Sequence, residues 1–118
     1  MSNLICNFAP QKLAKMKDYA KRRLPSTLHK LRKQYKLTQK DLADNLGISV
    51  AMYSKIELGE RMVKSEHLPK LAHTLRSDVN EFYSLFLADK IEFESRSYPK
   101  QVIDKAFKLI QHHNNFFA

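Results

Sequence analysis

The 118-residue chain has one cysteine, two glycines, four prolines and no tryptophan. Because Cys6 is the only cysteine, an internal disulfide is impossible and the chain fits a reducing compartment. The scarcity of glycine and proline argues against a long linker or a low-complexity tail. No apolar run is long enough to predict a transmembrane helix. The start of the chain also lacks the pattern of a secretory signal, so none is expected.

The positive charge is concentrated in the first third of the chain. The formal net charge is +9. Up to Lys40 there are eleven lysines and arginines against one acid, whereas ten bases and eleven acids follow. A one-sided basic region favours a polyanionic partner, with nucleic acid first and an anionic membrane surface second. A solvated surface that keeps the protein soluble is the simpler alternative.

Apolar residues recur at helical spacing, and no period-two stretch bounded by turn residues is present. The sequence therefore predicts an all-α protein. We expect a basic, helical extension over residues 1–24, a five-helix domain over residues 25–95, and a C-terminal helix with its tail over residues 96–118.

The helix boundaries follow from proline, capping residues and apolar spacing. An N-terminal helix is predicted from Pro10 to about Arg23. Pro25 would stop it, and Ser26 or Thr27 would cap the next helix. The last helix is predicted over residues 99–111, followed by an unpatterned tail.

One segment, TQKDLADNLGISVAMYSKIELGE, has the pattern of two short helices joined by a tight turn. Thr38 is a good cap for the first helix, and Asp41 three residues later is close to a capping box. Gly47 can adopt the left-handed conformation that turns the chain. Ser49 is a good cap for the second helix. These features predict a helix-turn-helix motif.

The two helices of this motif have distinct inner and outer faces. Ala43 is small, so the helices can approach each other closely. Ile48, Tyr53 and Ile56 are expected to hold the second helix against the core. A helix of this size fits the major groove of DNA, where its N-terminal residues meet base edges. The outward residues are Ser49, Val50, Ala51, Ser54, Lys55 and Leu58.

With LRKQYKLT before it and LPKLAHTL after it, the segment resembles the phage-repressor and Cro-like family, also called the xenobiotic-response-element regulators. The pattern is glutamine, alanine four residues on, glycine four further on, and then S-K-I-E-x-G-x-R. The resemblance covers residues 27–90. It implies a compact five-helix domain, here with extra N-terminal and C-terminal helices, that binds duplex DNA as a dimer on a palindromic operator.

The resemblance also implies roles for particular residues. Gln39 would contact a DNA phosphate from the start of its helix, and Arg61 would contact the DNA backbone. Arg32 and Glu57 would form a structural ion pair, and Ala43 and Gly47 would also be structural. The residues expected to lie nearest the bases, or one turn beyond them, are Ser49, Val50, Ala51, Ser54 and Lys55.

Val50 departs from the family pattern, which often has glutamine or arginine at this outermost position. A valine cannot donate a hydrogen bond to a base edge, but it can contact a thymine methyl group. Base reading would then be poor in hydrogen bonds. The sequence therefore predicts a half-site that is rich in thymine or recognised by its shape.

A homodimer is expected, because one such domain makes few base contacts. The candidate surface combines the fifth helix, the 99–111 helix and the Phe116–Phe117 end. The alternative is that the last helix folds back on its own domain. Enzyme activity, a cofactor and a metal are not expected, since the histidines lack the spacing of a metal site and no nucleophile or phosphate-loop motif is present.

The function predicted from the sequence is a dimeric, sequence-specific transcriptional regulator that binds double-stranded DNA. We expect a cytoplasmic, nucleoid-associated protein from a bacterium or phage, with no membrane partner. Both a repressor and an autoregulator are compatible with this fold. Residues 85–93, LFLADKIEF, are similar to small controllers of restriction–modification genes. The alternative is a protein-interaction or antitoxin-type module with weak or no DNA binding, which Val50 and Ala51 favour.

Overall fold

The computed structural model describes residues 22–117, with side-chain surroundings up to residue 113. Within this range the chain forms six α-helices, a short 3-10 helix and no strand, so the all-α prediction is confirmed. The helices are α1 (Arg23–Gln34), α2 (Gln39–Leu46), α3 (Val50–Leu58), α4 (Leu68–Thr74), α5 (Val79–Ser95) and α6 (Lys100–Phe117), with the 3-10 helix (Ser65–His67) before α4. The predicted N-terminal helix lies outside the described residues, apart from its last two.

Helices α1 to α5 enclose one apolar core. α2 packs against α3 and α4, α1 packs against α3 and α5, and α4 packs against α5. Tyr53 and Phe82 are its largest fully buried side chains. Each large apolar side chain buried in this way stabilises the fold by about 1.5–3 kcal/mol. Leu24 and Val63 also belong to the core, although the helical pattern did not single them out.

The start of α1 differs from the prediction. α1 begins at Arg23, so Pro25 lies inside its first turn, where a missing N–H costs little. The prediction that Ser26 or Thr27 caps this helix is therefore wrong. Instead, Asp89 of α5 accepts hydrogen bonds from the backbone N–H groups of Arg23 (3.1 Å) and Leu24 (2.9 Å). A buried carboxylate from another helix thus caps α1.

Two helices are each followed by a residue that adopts the left-handed conformation although it is not glycine. Lys36, which follows α1, has φ 56°, and Arg76, which follows α4, has φ 54°. The guanidinium of Arg76 lies over the Tyr35 ring, 5.2 Å from its centroid, so the two helix ends are in contact. Because the left-handed backbone conformation costs a non-glycine residue roughly 1–2 kcal/mol of free energy, both turns are strained.

The C-terminal helix is longer than predicted. α6 runs from Lys100 to Phe117, through the tail that shows no pattern in the sequence. The apolar periodicity fades after Ile110, but periodicity reports which residues pack and not whether the backbone is helical. No glycine or proline interrupts residues 100–117, so nothing local ends the helix.

Candidate nucleic-acid interface

The α2–turn–α3 unit is held together by local caps, as the sequence indicated. Thr38 and Asp41 form a capping box: the Asp41 N–H donates to Thr38 Oγ1 at 3.1 Å, and the Thr38 N–H donates to Asp41 Oδ2 at 2.8 Å. Gly47 ends α2 with φ 69°. Ser49 then caps α3, because its Oγ accepts the Met52 N–H at 3.0 Å. The predicted caps and turn are confirmed.

α3 is anchored by its inner face and leaves its outer face in solvent. Tyr53 and Ile56 are buried, and Ala43 of α2 is fully buried where the two helices meet. On the outer face, Val50 is 42% exposed and Leu58 is 54% exposed. The structure therefore separates the anchoring residues from the outward ones in the way that the pattern predicted.

The predicted base-reading residues share this outer face. Ser49, Val50, Ala51 and Lys55 are exposed, and Ser54 is half-buried. Since the Ser49 oxygen already accepts one hydrogen bond as a cap, its hydroxyl proton stays available to a base or phosphate.

The predicted backbone-contacting residues flank α3. Gln39 is the first residue of α2 and is half-buried, at the positive end of the helix dipole. Arg61 follows α3 and is exposed. Within residues 22–113, neither Lys55 nor Arg61 belongs to an ion pair. Lys40 differs, because its ammonium lies 2.8 Å from Asp44 Oδ2. Lys55 and Arg61 therefore stay available to an anion.

Arg32 and Glu57, which the resemblance implied as an ion pair, are in direct contact. Arg32 Nη2 donates to Glu57 Oε1 at 2.7 Å, and Arg32 Nε donates to Glu57 Oε2 at 2.9 Å. Arg32 Nη1 also donates to the Leu37 carbonyl at 3.0 Å. The side chains of Arg32 and Glu57 are 9% and 4% exposed. This network joins α1 to the last turn of α3 and so fixes how α3 is presented.

Sequence reasoning missed a third member of this network, His29. Its Nδ1 lies 2.6 Å from Glu57 Oε1. Burial alone would raise the pKa of Glu57, but hydrogen bonds from Arg32 and His29 outweigh it and the pKa is lowered. Burial raises the pKa of Tyr53, and the nearby Glu57 carboxylate adds to that effect. A histidine one turn before a paired arginine on the same helix is the signal that points to this contact.

No group of histidine, cysteine and acidic side chains within residues 22–113 is arranged to hold a metal ion. Among the described helices, none combines the length and the apolar character needed to cross a membrane.

Comparison with known proteins agrees with this geometry. A helix-turn-helix family model matches residues 28–82, a little under half of the chain. The cryptic phage CTXphi transcriptional repressor RstR of Vibrio cholerae serotype O1 is 36% identical over 59 residues, which are 50% of this chain and 53% of that protein. The chain thus spans about half the length of this curated relative. No solved structure shows a significant match.

The fold and these matches agree with each other. The chain contains a helix-turn-helix, and its similarity to RstR supports the resemblance to phage-repressor, Cro-like regulators that the sequence pattern indicated. Both matches support a DNA-binding transcriptional regulator.

Proposed function

We propose that this protein binds double-stranded DNA sequence-specifically and regulates transcription as a homodimeric repressor or autoregulator. The observation that carries the proposal is the outer face of α3, which is exposed while its inner face is fixed to the core. Lys55 on that face has no ion-pair partner among the described residues. RstR, which is similar over 59 residues, is itself described as a transcriptional repressor.

In this proposal the start of α3 enters the major groove. The Ser49 hydroxyl donates to a base edge or phosphate, and the side chains of Val50 and Ala51 contact thymine methyl groups. Gln39 and Arg61 contact phosphates on either side and set the register of the helix. Lys55 adds a contact one turn along α3.

Few of these contacts discriminate between bases by hydrogen bonding. A bidentate side chain on a base contributes about 1–3 kcal/mol of discrimination, and Val50 and Ala51 cannot supply one. Specificity would then come from methyl contacts, from DNA shape, and from the spacing of two half-sites in a dimer. An operator with thymine in each half-site is the expected target.

The decisive experiment is selection of bound duplexes from a random pool, followed by titration of the enriched site in fluorescence anisotropy. Lys55→Ala should weaken binding and reduce the slope of log affinity against log salt by about 0.9, the value for one phosphate. Lys30→Ala is the matched control, because Lys30 is exposed and lies roughly 200° around α1 from the buried Leu28. Enrichment of no site, or equal effects of the two variants, would contradict the proposal.

A protein-interaction module of the antitoxin type is the second candidate. The observation that favours it is the exposed apolar pair on α3, Val50 and Leu58, which a protein partner could cover. In that case the chain would show no salt-dependent binding to any duplex, and Val50→Asp would disrupt the complex with the partner instead.

We further propose that the protein acts in the cytoplasm of a bacterium, at the nucleoid, without enzymatic activity or a cofactor. A controller of restriction–modification genes is one kind of autoregulator that residues 85–93 suggest. Mapping the selected site relative to neighbouring genes would test this assignment.

A further inference from the structure

The edge of the outer face of α3 that lies next to α1 is covered by a histidine. At about 100° per residue, Glu57 lies within roughly 20° of Val50 around α3, whereas Lys55 lies roughly 160° from Glu57. Glu57 therefore stands at one edge of the outer face and Lys55 at the other. The Glu57 side chain is 4% exposed and contacts His29 and Arg32 of α1. The His29 side chain is 55% exposed, so the histidine ring, and not the carboxylate, faces solvent at this edge.

The contact with Glu57 decides which nitrogen of the His29 ring gains a proton. Burial alone would raise the pKa of Glu57, but hydrogen bonds from Arg32 and His29 lower it, so the carboxylate stays ionised near neutral pH. An ionised carboxylate only accepts hydrogen bonds, so His29 Nδ1 donates to Glu57 Oε1 at 2.6 Å. In the neutral ring Nε2 is then a hydrogen-bond acceptor, and protonation turns it into a donor. A histidine changes its charge between about pH 5 and 8, so this conversion falls in the physiological range.

A protonated His29 has a positive charge that its own network does not neutralise. The Glu57 carboxylate is already paired with the Arg32 guanidinium at 2.7 Å, so the charges of these two side chains cancel. Within residues 22–113, no acid besides Glu57 forms an ion pair with His29. The charge gained on protonation can therefore be balanced by an anion from outside the chain.

His29 is the member of this region that changes its charge near neutral pH. Arginine and lysine stay charged there, and burial raises the pKa of the Tyr53 phenol, so that phenol stays neutral. The acids of α5 that contact α1 are paired with Arg23, six residues before His29. The charged and titratable groups on α1, α3 and α5 to which this comparison applies are Arg32 and Lys33, Glu57 and Tyr53, and Asp89 and Glu92.

We propose that His29 binds a phosphate of the DNA and that DNA binding takes up a proton from solvent at His29 Nε2. The protonated ring donates a charge-assisted hydrogen bond to the phosphate, at the edge of α3 opposite Lys55. This inference rests on the proposed function, because the phosphate belongs to a duplex held by the outer face of α3. An opposite charge nearby favours the protonated ring, and its solvent exposure keeps the effect small. Affinity should therefore rise about three- to tenfold between about pH 8 and pH 6.

Fluorescence anisotropy with the selected duplex at about pH 6 and pH 8, each over a range of salt concentrations, tests the contact. His29→Asn keeps an N–H donor for Glu57 but does not titrate, so its affinity should not rise as the pH falls. At pH 6 the slope of log affinity against log salt should be steeper in the wild type than in His29→Asn by about 0.9, the value for one phosphate. At pH 8 the two slopes should coincide.

Two further variants serve as controls. His73→Asn removes an exposed histidine on α4 and should keep the pH response of the wild type. Lys55→Ala should reduce the salt slope at both pH values, because lysine stays charged throughout. Urea unfolding at both pH values checks that His29→Asn is folded, and His29→Gln takes its place if it is not.

Wild-type affinity that does not change with pH, or a His29→Asn variant that keeps the wild-type response, would overturn the inference. A pH response that His29→Asn removes without changing the salt slope at pH 6 would also overturn it, since His29 would then act by holding α3 and not by binding a phosphate. In these cases Lys55→Ala would still weaken salt-dependent binding, and the proposed function would stand. Failure of the proposed function is different, because no duplex would then be bound at either pH.

Discussion

Replacing Arg32 with methionine tests how α3 is held in place. The substitution keeps most of the side-chain volume but removes every hydrogen bond that Arg32 donates to Glu57 and to the Leu37 carbonyl. Glu57 would then remain buried, and the contact between its Oε1 and His29 Nδ1 at 2.6 Å would remain. Breaking a buried pair from one side costs about 3–5 kcal/mol, a large share of the 5–15 kcal/mol that stabilises a typical domain.

A double-mutant cycle can separate the stability lost with the hydrogen bonds of Arg32 from the stability lost by leaving the Glu57 carboxylate buried and unpaired. Glu57→Leu in the Arg32→Met background removes the stranded carboxylate, so the double variant should recover most of the lost stability. Urea unfolding followed by circular dichroism would measure all of the variants. Lys30→Met, an exposed change on the same helix, is the control and should stay within about 0.5 kcal/mol of the wild type.

The reasoning would be refuted if Arg32→Met cost less than about 1 kcal/mol, or if the costs of the two single variants simply added in the double variant. Either result would mean that the pair is not what fixes α3 against α1. DNA affinity should fall with stability, because the outer face of α3 would no longer be held in one orientation.

Three further predictions follow from contacts outside the proposed DNA face. The pKa of Glu57 is lowered from its ordinary value of 4.5, so its stabilising contribution is present above that value and is lost as the pH falls through the lower pKa of the folded state. The stability gap between wild type and Glu57→Gln should therefore be widest near neutral pH and narrow in acid, as urea unfolding at several pH values would show. Lys36→Gly should raise stability by about 0.5–1 kcal/mol, since glycine relieves the left-handed strain at some cost in entropy, whereas Lys33→Gly within α1 should lower stability by about 1 kcal/mol. Asp89→Ala should destabilise the protein by about 1–3 kcal/mol, because the N–H groups at the start of α1 lose their acceptor. Asp89→Asn should cost less stability because it keeps one oxygen, and thermal melting would rank the two variants.

The stretch from Thr38 to Gly59 was predictable because its determinants are local. The Thr38–Asp41 capping box, the left-handed Gly47 and the Ser49 cap act within three residues along the chain, so the sequence contains both partners of each interaction side by side. Apolar spacing then indicated which face of α3 is inward. The Arg32–Glu57 contact was reached through the resemblance and not through local chemistry, since 25 residues separate the two.

Other features were decided by the tertiary structure. The cap of α1 comes from Asp89, which lies 65 residues further along the chain than Leu24, and no local pattern can reveal a partner at that distance. The approach of His29 to Glu57 depends in the same way on how α1 packs against α3. The strain at Lys36 exists because packing, and not the preference of lysine, decides where α1 must end.

The α2–turn–α3 unit, its capping residues and its outward face were thus determined by the sequence itself, because neighbouring residues satisfy each other's hydrogen bonds. Only the tertiary structure decided how that unit packs against α1 and how much of α6 remains exposed. The physical reason is that burial and ion pairing depend on which helices pack against each other, and the core as a whole determines that packing.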